Sequence, residues 1–197
     1  MAKDVRVIVT LPDDVTPVDI IGREGRIKGN RVELSMNQLY GGQEKYALIE
    51  IRLPSAASGT TLNVARAEVV YQDPFAGKAM RSTGLATAAF SSDPDKVSAS
   101  TNVDVVRDYQ LNLNALAQEK AIELSDQGRQ KEAAATLRKS AAKMKAVGSM
   151  YGDAQLAKEA DAVEDQAVML EEKGMSKKTR KQLRTESYQM KNQQKAQ

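Results

Sequence analysis

The 197-residue sequence contains no cysteine, no histidine and no tryptophan. The absence of cysteine excludes a disulfide framework and a thiolate nucleophile, and the absence of both cysteine and histidine excludes a zinc site built from those residues. Histidine is also the side chain that most often acts as a general base near neutral pH. Composition alone therefore excludes most familiar catalytic constellations.

Long apolar runs are missing as well. No stretch approaches the roughly 18 apolar residues that a membrane-spanning helix needs. The longest apolar runs are short segments such as residues 85–90. The sequence that starts with residues 1–4 (MAKD) lacks the apolar segment of an export signal. The absence of cysteine is compatible with both the cytoplasm and an exported setting. The location is therefore left open, and an extracytoplasmic protein would need its signal upstream of Met1.

Apolar residues make up 41% of the chain and charged residues 28%, which is typical of a globular protein. All five prolines, and eight of the twelve glycines, lie at or before Pro94, whereas the remainder is rich in Ala, Leu, Glu, Lys and Gln. Proline and glycine punctuate strands and turns, and the second composition favours helix. We therefore predict a β domain over residues 1–93 and an α-helical domain over residues 94–197.

The first half shows the alternation of apolar and polar residues that is typical of strands with one buried face. Residues 5–11 and 47–53 alternate in this way, residues 25–30 supply turn residues, and a phase slip near Ala65 and Arg66 indicates a β-bulge. Six or seven short strands without crossover helices predict an antiparallel β-sandwich. The expected fold class is thus α+β, a sandwich followed by a three- to four-helix segment.

The second half has helical periodicity. It predicts a helix from about residue 95 or 102 to 125, and then a hairpin in which Gly128 follows the first helix. Gly148 and Gly152 are expected to bracket the next turn, Asp153 to cap a third helix, and Ser176 to cap a last, basic helix. The third helix carries a narrow apolar seam that could pack on other helices or drive self-association, formed by Leu156, Ala160, Val163, Ala167 and Leu170.

No catalytic or cofactor-binding motif is present. The glycines do not have the spacing of a phosphate-binding loop, no G-x-S-x-G motif occurs, and no S-x-x-K arrangement stands out. The nearest approach to a calcium loop, Asp93-Pro94-Asp95, is better explained as a helix cap. The sequence therefore predicts a protein that is not an enzyme, with no catalytic residues, no cofactor and no metal site.

The C-terminal segment is strongly basic. From residue 173 onward there are eight Lys or Arg residues and a single acid, whereas the rest of the chain has more acids than bases. This distribution suggests either an anionic partner or a basic face that packs on the body of the protein. Nucleic acid is not the favoured partner because Tyr188 is the only aromatic residue in this segment that could stack on a base. The candidate contact residues are Lys177, Lys178, Arg180, Lys181 and Arg184.

Three stretches resemble bacterial proteins that carry a von Willebrand factor type A domain, in the region that follows that domain. They are residues 2–12 (AKDVRVIVTLP), residues 39–54 together with 67–78 (LYGGQEKYALIEIRLP and AEVVYQDPFAGK), and residues 183–194 (LRTESYQMKNQQ). The resemblance implies a small β-sandwich and a helical segment beside a doubly wound A domain, with a non-catalytic role in protein–protein contacts or assembly.

The metal site of the A domain cannot be transferred to this chain. That site uses a D-x-S-x-S motif, which does not occur here, and the alternation of strands and helices that builds a doubly wound sheet is also missing. If the resemblance holds, the chain is a C-terminal region whose partners include an upstream A domain. The alternative is a protein that binds nucleic acid or an anionic surface through its basic C-terminal helix.

Overall fold

The computed structural model describes residues 1–193. Gln194, which ends the third resembling stretch, and Lys195, which belongs to the basic segment, lie outside the described residues. The chain forms two compact units, Met1–Thr101 and a second unit that begins at Asn102. The domain boundary expected between residues 93 and 94 stays a prediction.

The first unit contains seven strands among the described residues, and every pairing between them is antiparallel. One sheet has five strands in the order β3-β4-β1-β6-β7, and a second sheet pairs β2 with β5. The strands are β1 (Ala2–Thr10), β2 (Thr16–Ile21), β3 (Gly25–Lys28), β4 (Arg31–Leu39), β5 (Leu48–Arg52), β6 (Thr61–Asp73) and β7 (Lys78–Ala89).

Alternation along the strands places one side of the larger sheet in a hydrophobic core. On β4, Val32, Leu34 and Met36 are buried while the residues between them are exposed, as expected for a strand with one buried face. Strands β2 and β5 of the smaller sheet contribute Ile20, Ile49 and Ile51 to the same cluster, which also contains Val9 and Leu11. The predicted order, a β-sheet region followed by helices, is confirmed, whereas the sandwich stays a prediction.

Two local expectations can be compared with the strands. The segment 25–30 was expected to be a turn, and this is wrong for Gly25–Lys28, which pairs with β4 and leaves only Gly29 and Asn30 at the turn. Gly25 is needed there because a Cβ would lie 2.7 Å from Ile20 Cδ1 and 2.8 Å from the Glu33 carbonyl oxygen. The expected bulge is present, since the register between β6 and β7 shifts between Asn63 and Ala65.

The described residues form five helices. They are α1 (Pro94–Ala99), α2 (Val103–Asp126), α3 (Gln130–Tyr151), α4 (Ala154–Lys173) and α5 (Lys177–Asn192). Of the two expected starts of the first helix, the one near residue 102 agrees with α2, which Asn102 caps, whereas α1 is a separate short helix. Within residues 1–193, none of the helices has the length and hydropathy needed to cross a membrane.

The ends of the helices are fixed by local hydrogen bonds. The C-terminus of α2 has paired bonds from Gly128 N–H to the Ser125 carbonyl and from Arg129 N–H to the Leu124 carbonyl, with Gly128 at φ 76°. This is the Schellman arrangement, which favours glycine at that position. Asp153 caps α4 by accepting a hydrogen bond from Leu156 N–H, as the sequence predicted.

The core of the second unit lies between α2, α3 and α4. All five residues of the apolar seam on α4 are buried in it, together with Leu137 and Met144 of α3. The prediction that this seam packs on other helices is confirmed. Because the partners belong to the same unit, the seam is not a free surface for self-association.

Gly148 was expected in a turn, and this is wrong: it is a buried residue inside α3. A Cβ at this position would lie 3.1 Å from both the Ala157 backbone nitrogen and the Asp153 carbonyl oxygen. Glycine therefore allows α3 to approach the first turn of α4 closely.

Candidate binding surface on the basic helix

Helix α5 contains all five candidate contact residues. Ser176 caps it by accepting a hydrogen bond from Thr179 N–H at 3.0 Å. Leu183 and Ser187, four positions apart, are buried, since residues at this spacing lie on one face of a helix. The helix is thus attached to its own unit by a short buried contact face.

Ion pairs flank this contact face. Arg180 forms an ion pair with Asp126 at the end of α2, and Lys191 Nζ lies 3.0 Å from Glu119 Oε1 in the middle of α2. Two of the basic side chains are therefore paired with carboxylates of the same unit, as expected if the segment packs on the body of the protein. Of the five candidate residues, Arg180 is the one whose charge is paired in this way.

Glu186, the acid on α5, is held by amide groups from three helices. Its carboxylate accepts hydrogen bonds from Gln118 of α2 at 3.1 Å, from Gln166 of α4 at 3.2 Å and from Gln182 of α5 at 2.9 Å. Hydrogen bonds to a charged acceptor are stronger than neutral ones. This cluster fixes the rotation of α5 about its own axis and so determines which residues face outward.

The outward side carries a row of cations. Lys177, Lys181 and Arg184 are exposed, and their spacing of four and three residues places them on one face together with Tyr188. We call these three cations the basic row. Among residues 1–193, neither the basic row nor the neighbouring Lys178 has an acidic partner.

A concavity of about 690 Å³ lies along the basic row. Four of the five predicted residues line it, namely Lys177, Arg180, Lys181 and Arg184, whereas Lys178 does not. The remaining lining residues, which were not predicted as contacts, are Met175, Thr185, Tyr188 and Gln189. The regular spacing from Lys177 to Tyr188 was the signal that could have identified Tyr188.

A second charged constellation has a structural role. The Arg107 Nε donates to Asp153 Oδ2 at 2.6 Å, and its Nη1 donates to Asp104 Oδ1 at 2.9 Å. The hydrogen bond to Asp153 raises the pKa of Arg107. Burial alone would raise the pKa of Asp153, but the hydrogen bonds from Leu156 N–H and Arg107 outweigh it and lower that pKa. The pair links α2 to the cap of α4.

No metal-binding group is present in the part of the chain that the structure describes. Within residues 1–193, Asp and Glu side chains do not come together in groups of three or more that could hold an ion. A second, smaller concavity of about 570 Å³, lined in part by Asp19, Arg23 and Glu24, lies in the first unit. Burial lowers the pKa of Arg23, whose Nε donates to the Tyr46 carbonyl oxygen at 2.9 Å.

Comparison with known proteins identifies similar structures but no similar sequences. No family model matches the chain, and no curated protein matches it. A solved structure described as von Willebrand factor type A from Catenulispora acidiphila has a TM-score of 0.64 and 17% identity, over 95% of this chain and 46% of that chain. The chain thus shares its fold with the matched part of a protein described as von Willebrand factor type A.

A second solved structure, the ArnB paralog VWA2 from Sulfolobus acidocaldarius, has a TM-score of 0.45 and 14% identity, over 94% of this chain and 43% of that chain. This chain thus spans about half the length of each of the two solved chains. The likeness to the Catenulispora acidiphila protein extends over 95% of this chain. The expectation that the chain is only a region following a separate A domain is not shown by these comparisons and stays a proposal.

Proposed function

We propose that this chain is a non-catalytic interaction region of a von Willebrand factor type A protein, mediating protein–protein contacts or assembly. The observation that carries the proposal is the fold likeness to the Catenulispora acidiphila protein over 95% of this chain. Folds of this kind commonly mediate interactions between proteins.

We also propose that the chain lies beside a separate A domain in its native protein. Two observations support this placement. The pairings of the described strands are all antiparallel, whereas a doubly wound sheet consists mostly of parallel strands joined by helices. In addition, the chain matches 46% of a protein about twice its length, which leaves room in that protein for a further domain.

Sequencing the native gene on both sides of the codons for residues 1–197 tests the placement. We expect an adjoining segment with alternating strands and helices and a D-x-S-x-S motif. A complete reading frame without such a segment would overturn the placement.

The interaction role has a separate test. The adjoining domain and residues 1–197 would be produced as two proteins, and their association measured by isothermal titration calorimetry. We expect saturable binding in a one-to-one ratio. A hydrolase or transferase activity of residues 1–197 that is abolished by a single substitution would contradict the non-catalytic role.

A second candidate function is the binding of nucleic acid or another anionic surface through α5. The observation that favours it is the basic row, whose three cations are exposed and have no acidic partner within residues 1–193. Binding of this kind weakens steeply with salt because neutralised phosphates release counterions. A titration with a DNA oligonucleotide at low salt that shows no binding would remove this candidate.

A further inference from the structure

We propose that the basic row and the concavity beside it form a docking site for an acidic helix of a partner protein. This inference rests on the proposed interaction role and names the kind of partner. It assigns a function to an outward side of α5 that the packing of the helix on α2 leaves uncovered.

The distribution of charge on α5 is the first argument. Arg180, which also lines the concavity, and Lys191 have carboxylate partners on α2, whereas Lys177, Lys181 and Arg184 have none among residues 1–193. The charge of the first two cations is therefore already compensated. A complementary partner for the basic row must supply negative charge.

The spacing of the cations is the second argument. Residues 177, 181 and 184 follow the pattern i, i+4, i+7, and a helix rises about 1.5 Å per residue, so the row extends about 10 Å along one face. Acidic residues at the same spacing on a partner helix would face the row over an equal length. The interaction would resemble the charged pairs that flank helix–helix contacts in coiled coils.

The composition of the concavity favours a protein over a nucleic acid. Met175 lines it at one end and Tyr188, which is 57% exposed, lies at the other end beside Arg184. Methionine, tyrosine and arginine are enriched in protein–protein interfaces. Nucleic-acid sites instead combine positive charge with several stacking aromatics, and Tyr188 is the single aromatic side chain in the lining.

The test uses synthetic helical peptides as probes, with residues 1–197 as the protein. One peptide carries Glu at positions i, i+4 and i+7, a second carries Gln at these positions and a third carries Lys. Binding is measured by fluorescence anisotropy at low salt for the wild type and for Lys177→Glu/Lys181→Glu. The matched control is Lys139→Glu/Lys143→Glu, which reverses two exposed charges of the same spacing on α3.

We expect the wild type to bind the Glu peptide and not the Gln peptide. Reversal at residues 177 and 181 should weaken this binding about tenfold, because repulsion replaces the attraction of two exposed ion pairs. The control pair should change it by less than about twofold. The reversed variant should in turn bind the Lys peptide, which the wild type does not bind.

Several results would overturn the proposal. They are no binding of the Glu peptide, equal weakening by the control pair, or tighter binding of a DNA oligonucleotide of the same charge than of the Glu peptide. Circular dichroism of each variant establishes that it is folded. The calorimetric association with the adjoining domain is measured with the same variants, so that a failure of the docking site is distinguished from a failure of the proposed function.

Discussion

Replacing Asp153 with alanine should destabilise the second unit far more than the same change at Asp104, although both carboxylates bind Arg107. The side chain of Asp153 is 3% exposed and that of Asp104 is 81% exposed. Asp153 also caps α4, whereas Asp104 makes its ion pair on the surface. Because both substitutions remove an ion pair with Arg107, the difference between them measures the effect of burial and helix capping at Asp153.

The magnitude follows from the contacts that are lost. Loss of an N-cap costs about 0.5–2 kcal/mol, and loss of a hydrogen bond to a charged group about 1.5–3 kcal/mol. The Arg107 side chain is 26% exposed and retains Asp104, so part of its charge stays compensated. We therefore expect a loss of about 2–4 kcal/mol for Asp153→Ala and less than about 1 kcal/mol for Asp104→Ala.

The assay is urea unfolding of residues 1–197, followed by far-UV circular dichroism, which reports mainly on the helices. Asp153→Asn serves as an intermediate variant, because asparagine caps helices as well as aspartate does but has no charge. Equal losses for Asp153→Ala and Asp104→Ala would refute the reasoning, since they would show that burial and capping at residue 153 contribute nothing.

The pH dependence tests the same group. The pKa of Asp153 is lower in the folded protein than its ordinary value. At a given pH near these values, this carboxyl group therefore binds fewer protons in the folded protein than in the unfolded one. Its stabilisation is therefore fully present above the ordinary pKa of about 3.9 and is lost as the pH falls through the lower folded value. Asp153→Asn should lose less stability than the wild type between about pH 5 and pH 2. Parallel curves for the two proteins would contradict this.

Three further substitutions test the packing. Leu183→Ala should lower the free energy of unfolding by about 2–5 kcal/mol, because this side chain lies on the inner face of α5 and is 1% exposed. Tyr188→Ala on the exposed face should change it by less than about 0.5 kcal/mol. Similar costs for the two substitutions would show that α5 is not docked. Gly148→Ala should lower the melting temperature, because the close approach to Ala157 outweighs the gain of about 1 kcal/mol in helix propensity; a higher melting temperature would contradict the close packing. Leu34→Ala should cost about 2–5 kcal/mol in urea unfolding, since the residue is buried in the core of the first unit; a cost below about 1 kcal/mol would be inconsistent with that core.

The sequence predicted those parts of the fold in which buried residues recur at a regular spacing along a strand or a helix. Alternation on β4 and the four- and three-residue steps on α4 arise because one side of each element faces a core. The caps at Asp153 and Ser176 were predicted for a related reason, since each bonds to residues two or three positions away. Contacts of this kind can be inferred from a short window of sequence.

Glycine was the main source of error, because its sequence signal is ambiguous. Gly128 and Gly148 both interrupt a helical pattern, yet the first ends α2 with a positive φ and the second lies inside α3. What distinguishes Gly148 is a close contact with the backbone of α4. Contacts of this type depend on tertiary packing and leave no local pattern.

The sequence predicted which cations belong to the candidate surface, but not which of them are paired within the unit and which are exposed. Counting charges identified Lys177, Lys178, Arg180, Lys181 and Arg184 but did not separate them. The packing of α5 on α2 places Arg180 beside Asp126 and leaves the other four exposed. Tyr188 is an exception, because its regular spacing from Lys177, Lys181 and Arg184 could have identified it.

The cap at Asn102 has a practical consequence for dividing this protein. Its side-chain oxygen accepts hydrogen bonds from Asp104 N–H at 3.1 Å and Val105 N–H at 3.2 Å, and Asn102 is also the first residue of the second unit. A helical fragment cut before Asn102 keeps these two bonds, whereas one cut before Val103 begins α2 with both amides unbonded. A single residue at the junction therefore determines whether the longest helix of the chain starts with its cap.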